Sequence, residues 1–364
     1  MKKVCYADMG KRTLSDDRGQ YTVDTFDPFE YFSPNDRFAN AFLLTAGSSG
    51  WNKRAALRYS VEGADRLYRE RDPSYMRMAG DFIDRFRDYD LIVMPGCNFI
   101  HPELLWRELK KPVKILGFID DPHSTYVRGL PHLWAFDGAF YISPSYIDDM
   151  LFSDAFARWG KPAYWFPLTA PQQKPIEADD AFFRNRDMTA VYVGGPYTSK
   201  VNRLIKLKRH FGNRFCVYGR WSFRGYSGFI RALFGRPMYP YRVKSLTNEE
   251  RTNIYWRTKI GFNMHLSDEP FECGNARTYE VPAHGMALIS DKRAANGQSK
   301  IFESNKEALY YSSLSEAIDM IEHYAAHDDE RVAIAKAGFD RFWRDYQYED
   351  NMFKFFDWAL SLRK

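Results

Sequence analysis

Short apolar runs that end in glycine, proline or aspartate recur along this chain, with helix-like stretches between them. Residues 91–94 (LIVM) run into Pro95-Gly96, and residues 113–119 (VKILGFI) run into Asp120-Asp121-Pro122-His123. Further runs stand at 41–46, 139–142, 163–166, 189–193, 215–218, 259–265 and 286–289. Apolar residues at every position, rather than at alternate ones, mark strands covered on both faces. Strands of that kind alternating with helices form parallel sheets flanked by helices, an α/β fold. Residues 1–40 are less regular: 4–7 and 21–23 read as two strands around the polar turn 15–19.

The alternation runs twice. Residues 169–188 belong to a stretch rich in proline, glutamine and charge, which reads as a linker. It divides a first Rossmann-like domain, 1–168, from a second, 189–345. An amphipathic helix, 346–364, closes the chain. At 364 residues and 45% hydrophobic content there is apolar material for two cores. A formal charge of +5 suits an anionic substrate rather than a nucleic-acid coat. Cys5, Cys97, Cys216 and Cys273 lie far apart and form no C-x-x-C pair, which argues against a structural zinc site or disulfide framework and suits a reducing, cytoplasmic setting. The first residues do not read as a signal peptide, and no apolar stretch is long enough to span a membrane.

The stretch 272–291 (ECGNARTYEVPAHGMALISD) carries the densest chemistry. Glu272 and Glu280 have seven residues between them, with Asn275, Arg277 and Thr278 in the gap. It reads as loop, helix, glycine stop and buried strand, with Asn275 or Gly274 as the cap and Gly285 as the stop. An anion at that helix N-terminus would meet backbone N–H groups and the positive end of the dipole. The pattern N-x-R-x-[FY]-E-x-x-A-x-G, followed by an apolar strand and Asp, resembles the CgeB-like (spore-maturation-protein) branch of glycosyltransferases with the GT-B fold. It is also similar to the E-x7-E motif of retaining glycosyltransferase family 4. The resemblance extends from about residue 90 to the C-terminus.

The resemblance implies two Rossmann-like domains facing a central cleft, an N-terminal acceptor domain and a C-terminal nucleotide-sugar domain, with the last helix crossing back to the first. It implies transfer of a sugar from a nucleotide diphosphate to an acceptor hydroxyl, with retention, without a metal, and without a cofactor beyond the nucleotide-sugar co-substrate. Glu272 would hold or polarise the sugar and Glu280 would accept the ribose hydroxyls. Ligands of open parallel sheets gather beyond the carboxyl ends of the strands, which is where Asp120 and His123 fall. The family carries a similar Asp-Asp-Pro at that point. The loop Gly47-Ser48-Ser49-Gly50 after the run 41–46 lacks side-chain bulk and can approach an acceptor or phosphate. Gly194-Gly195 before a basic helix form a plausible diphosphate site, with Lys200 and Arg203 supplying charge; Arg203 stands at the family's basic position. Arg220, in a Gly-x-Trp match, and His265, Asn275 and Arg277 complete the expected donor site. The one D-x-D, Asp88-Tyr89-Asp90, precedes its strand, the wrong end for a metal–diphosphate site.

Residues 220–244 depart from the family pattern. They hold six Arg or Lys, seven aromatic residues and no acid. That composition suits nucleic acid, a membrane interface or packing within a crossing loop. The acceptor therefore stands open between a glycan or glycolipid and a hydroxylated base in DNA, as in phage DNA glycosyltransferases. A non-catalytic nucleic-acid or glycan binding protein on a GT-B scaffold is the reading from a different class.

Overall fold

The first set of strands builds one all-parallel sheet. β1 (Lys2–Tyr6), β2 (Tyr21–Thr25), β3 (Leu91–Pro95), β4 (Val113–Phe118), β5 (Gly138–Tyr141) and β6 (Ala163–Trp165) lie in the order β2-β1-β3-β4-β5-β6. The structure is a computed structural model, and it describes residues 1–7, 19–32, 61–95, 99–118, 129–144, 150–195, 198–219, 243–265, 274–292 and 297–363. Asp120, His123, Arg220, Glu272 and the loop Gly47, Ser48, Ser49, Gly50 lie outside the described residues, as do the run 41–46 and most of 220–244. β1 and β2 pair in parallel, Lys2 opposite Tyr21, so the polar turn between them does not close a hairpin. A parallel pair needs a crossover connection, not a tight turn.

β3 and β4 are buried at every position, as their unbroken apolar runs require. The helices α1 (Val61–Arg69), α2 (Pro73–Phe86), α3 (Pro102–Glu108) and α4 (Met150–Trp159) belong to the same unit. Asp72 caps α2, accepting from the Ser74 and Tyr75 amides, and Pro73 opens the helix where no N–H is needed. The Asp90 carboxylate accepts from the Lys3 amide at 2.9 Å, which puts the D-x-D at the amino end of β3.

The second sheet is built from β7 (Met188–Val193), β8 (Phe215–Tyr218), β9 (Thr258–Asn263), β10 (Ala287–Asp291) and β11 (Leu309–Tyr311). Its order is β11-β10-β9-β7-β8, again all parallel. The helices along the rest of the chain are α5 (Asp180–Arg184), α6 (Thr198–Phe211), α7 (Asn248–Arg257), α8 (Ala276–Ala283), α9 (Gly297–Ile301), α10 (Leu314–Ala326), α11 (Asp328–Asp345) and α12 (Tyr348–Ser361). Thr247 and Glu250 form a reciprocal capping box at the start of α7.

The chain divides into two units: Met1–Ile142, Tyr146–Phe166 and Met352–Lys364 form the first, and Ser143–Ser145 with Pro167–Asn351 form the second. The stretch 169–188 lies within the second unit and is not a bare tether. It contains α5, whose Phe183 is buried in that unit's core. Arg186 is buried and donates to the carbonyls of Phe182, Tyr255, Thr258 and His284. Burial pushes the Arg186 guanidinium down to about 9, so it is still charged at neutral pH. The residues from Met352 onward pack in the first unit, with Phe355 against Phe140, Tyr164 and Phe166.

Candidate functional site

The second sheet reverses its winding at β7. The chain goes from β7 to β8 on one side and returns to β9 on the other. Loops leaving the carboxyl ends part at such a point and leave room for a ligand. Gly194-Gly195 follow β7 directly, and Met264-His265 follow β9.

Asn263, the last residue of β9, organises this end of the sheet. Its side-chain oxygen accepts from Asn275 at 3.0 Å and from Arg277 Nε at 2.9 Å. Its amide donates to Thr278 Oγ1 and Ser290 Oγ, and its backbone carbonyl accepts from the Tyr311 hydroxyl at 3.1 Å. A fully buried amide with both ends satisfied fixes its neighbours in place. Asn275 is the cap of α8 and accepts from the Thr278 amide, and Gly285 ends the turn at a positive φ of 68°.

Arg277 is more committed than the sequence suggests. Nη1 donates to the Val193 carbonyl at 2.8 Å, Nη2 to the Met264 carbonyl at 3.0 Å, and Nε to Asn263. The guanidinium lies over the Tyr192 ring at 4.7 Å. It therefore braces the ends of β7 and β9 from α8. Gly194 makes this possible, because a Cβ there would overlap the guanidinium and lie 2.7 Å from the Tyr192 hydroxyl oxygen. Lys200, on α6, is only 3% exposed, and its ammonium donates to the same Met264 carbonyl at 2.8 Å. Arg203 stands one turn further along α6 and is half-buried.

His265 is held from both sides. Its ring Nδ1 is 2.8 Å from Asp291 Oδ1, and its amide donates to both oxygens of that carboxylate. The buried Gln298 amide lies 3.3 Å from Nδ1 and 3.5 Å from Nε2. Glu280 has a side chain 12% exposed, with Arg251 at 3.5 Å and the Tyr255 hydroxyl at 3.4 Å. Burial, reinforced by the Glu280 charge, pushes the Tyr255 hydroxyl well up, so it stays a neutral donor. Burial pushes His284 down to about 4, so its ring is neutral and Nδ1–H donates to the Glu280 carbonyl at 2.8 Å.

Of the residues expected from sequence, the structure brings Gly194, Lys200, His265, Asn275 and Arg277 into one network around Asn263 and Met264. Gly195 adjoins it in sequence, and Glu280 sits on α8 with partners of its own. Sequence reasoning missed Tyr192 beneath the guanidinium, the Met264 carbonyl as a shared acceptor, and Gln298 beside His265. Only Asp291, at the end of its apolar run, carried a visible signal.

Residues 201–357 match the model of the glycosyl transferase-like family, somewhat under half of the chain. No curated protein matches the chain significantly. Solved structures do. Anabaena HepE in complex with UDP-glucose superposes with a TM-score of 0.58 at 10% identity, covering 99% of this chain and 100% of that one. An α-glucosyltransferase in complex with UDP gives 0.54 at 10% identity, over 78% and 84% of the two chains. An α-glucosyltransferase in complex with UDP and a 13-mer DNA containing an HMU base gives 0.54 at 12% identity, over 77% and 82%. The fold is GT-B. Its two parallel-sheet α/β units are the two sheets described above. In this GT-B protein the switch point between β7 and β9 lies in the unit that carries most of the family-model match. Among the described residues no helix is long and apolar enough to cross a membrane.

Proposed function

We propose that this GT-B protein is a glycosyltransferase that moves a sugar from a nucleotide-diphosphate sugar to an acceptor hydroxyl. The observation that carries the reading is the pair of cations, Lys200 and Arg277, meeting at the Met264 carbonyl beyond the carboxyl ends of β7 and β9. Breaking the bond between the sugar C1 and the diphosphate leaves negative charge on the leaving group. A buried ammonium and the N–H groups of Gly194-Gly195 are suited to stabilise it, since fixed donors need no reorganisation as the charge develops. Lys200 is the direct phosphate partner, with Arg203 beside it, and Arg277 holds the two strand ends that frame the phosphates. Glu280 accepts the ribose hydroxyls; Arg251 and Tyr255 keep its carboxylate oriented.

Glu272 serves the transferred sugar, with Asn275 and His265 bordering the same crevice, and Arg220 adds charge to the donor side. Asp120, His123 and the loop Gly47-Ser48-Ser49-Gly50 serve the acceptor. By family resemblance the transfer retains configuration: the acceptor oxygen bonds C1 on the face the diphosphate leaves, and its proton passes to the departing phosphate oxygen. The reaction needs no metal and takes place in the cytoplasm. The composition of 220–244 favours a second acceptor reading, a hydroxylated base in DNA.

Thermal unfolding with UDP, GDP, CDP, dTDP and ADP tests the donor site. A ligand of the native state at 100 times its Kd stabilises by about 2.7 kcal/mol, a readily visible shift. One nucleotide should raise the melting temperature, Glu280→Ala should lose most of that rise, and EDTA should change neither. If none shifts the protein even at saturating concentration, the donor-site reading fails and a binding role on this scaffold replaces it. Turnover that falls steeply with salt would identify DNA as acceptor.

A further inference from the structure

A charged concavity lies in the first unit, at the amino ends of β4, β5 and β6, the opposite end of that sheet from the carboxyl ends where ligands of open sheets gather. It has a volume of about 560 Å³ and is lined by Lys110, Lys111, Lys114, Lys161 and Arg363, with Asp137 as the one carboxylate among its lining residues. Lys114 is buried, tied to the Leu109 carbonyl at 3.0 Å and to Asp137 at 3.3 Å, so it builds the floor. Lys110, Lys111 and Arg363 are exposed at the rim. Arg363 reaches Asp90 at 3.3 Å, and Lys111 donates to the Asp88 carbonyl at 2.5 Å, which fixes where these charges stand.

Two indoles stand beside lysines of this lining. Among the described residues the exposed large apolar side chains are Met1, Trp106, Trp159 and Ile176. Two of these, Trp106 and Trp159, adjoin residues that line the cleft. Trp106 is 56% exposed at the end of α3, with the Lys110 ammonium 4.2 Å from its ring centroid. Trp159 is 50% exposed at the end of α4, next to Gly160 and Lys161 of the lining. Half-exposed indoles beside lysines are what a membrane–water interface selects, with the ring at headgroup depth and the cation on the phosphates. We propose that this face docks the protein onto an anionic lipid bilayer, with the cleft taking a phosphate-bearing headgroup.

A nucleic-acid strand fits the same face less well. It would need a basic track along which bases stack on open ring faces. Here the cations surround one concavity, and Lys110 already covers one face of the Trp106 ring. The docking surface is independent of the donor-site reading, since no residue of that site takes part in it.

Co-sedimentation of the full chain with vesicles tests the proposal. Vesicles of phosphatidylcholine alone are compared with vesicles containing equal parts phosphatidylglycerol, at low and high salt. Each cation near an anionic surface contributes roughly a fivefold factor to binding. The protein should partition onto the anionic vesicles in a salt-dependent way, and Lys110→Glu with Lys161→Glu should weaken this at least tenfold. Trp106→Ser with Trp159→Ser should weaken it several-fold, with melting temperatures and nucleotide response unchanged in both variants. Absence of binding to anionic vesicles overturns the proposal. So does binding that survives both pairs of substitutions, which would move it to another basic segment such as 220–244. Loss of binding to a DNA oligonucleotide in the lysine variant, with no vesicle binding by the wild type, would assign the face to nucleic acid instead.

Discussion

A methyl group at position 194 should test the brace at the end of β7. Gly194→Ala needs no unusual backbone, because Gly194 is not among the residues with positive φ. Its Cβ would overlap the Arg277 guanidinium and lie 2.7 Å and 2.9 Å from the Tyr192 hydroxyl oxygen and Cζ. The guanidinium must retreat and lose its 2.8 Å bond to the Val193 carbonyl. Overpacking of this kind costs about 1–3 kcal/mol, while the stiffer unfolded chain returns about 0.4–1 kcal/mol. The net expectation is about 1–2 kcal/mol of destabilisation, read as a lower urea midpoint at unchanged slope. The mechanism is isolated by a double-mutant cycle with Arg277→Ala. With the guanidinium removed only the Tyr192 overlap remains, so Gly194→Ala should cost about 1 kcal/mol less than in the wild type. If the two substitutions add to within about 0.5 kcal/mol, the clash does not act through Arg277 and the brace is misassigned. Stabilisation by whichever nucleotide raises the wild-type melting temperature, followed in the same four proteins, should fall in step with the brace.

Lys200→Met should weaken nucleoside diphosphate binding by about tenfold to a hundredfold, the worth of one charge-assisted hydrogen bond, while leaving nucleoside binding unchanged by calorimetry. Glu280→Gln should lower affinity for a nucleoside diphosphate and leave that for its 2′,3′-dideoxy analogue untouched; equal losses would remove Glu280 from the ribose. Arg186→Met takes a charged donor from the carbonyls of Tyr255, Thr258 and His284, and should cost about 3–5 kcal/mol in urea unfolding. Burial would raise the Asp328 carboxyl, but hydrogen bonds from Lys259 and Arg331 outweigh it and hold it below its ordinary 3.8. A lowered folded value gives stability that is complete above the unfolded value and is lost as pH falls through the folded one. Asp328→Asn should therefore flatten the acid-unfolding profile below about pH 3.8.

Elements whose character is local were legible. β8 has the bounds expected of it because Phe215 to Tyr218 is an apolar run between polar turns. Asn275 and Gly285 punctuate α8 by their own side-chain and backbone chemistry. β11 was not legible as a strand, since three residues give no periodicity, and its identity comes from pairing with Ile289 to Asp291 of β10. The parallel pairing of β1 with β2 was not legible, because the polar residues between the two runs carry no sign of strand direction. The stretch 169–188 read as a linker by composition, yet Phe183 and Arg186 tie it to Arg331 and His284, 148 and 98 positions away. At the site, residue types were visible and partners were not. Arg277 read as a donor-site residue, but its acceptor at Val193, 84 residues back along the chain, was not visible.

The geometry also separates the two cations by role. One carbonyl offers two lone pairs. The Met264 carbonyl receives Arg277 at 3.0 Å, Lys200 at 2.8 Å and a long contact from Asn275 at 3.4 Å. Among the described residues, Asp291 is engaged by His265 and Glu280 by Arg251. On the proposed function, a diphosphate enters between Gly194 and His265. Arg277 cannot turn to it without surrendering bonds to Val193 and Asn263 together, whereas the ammonium of Lys200 carries three donors on a flexible stem. The proposed phosphate role asks Lys200 to keep its carbonyl and turn another N–H toward a phosphate oxygen. On this argument Lys200→Arg, which cannot place three donors about one point, should impair diphosphate binding more than it impairs stability, and Arg277→Lys should do the reverse.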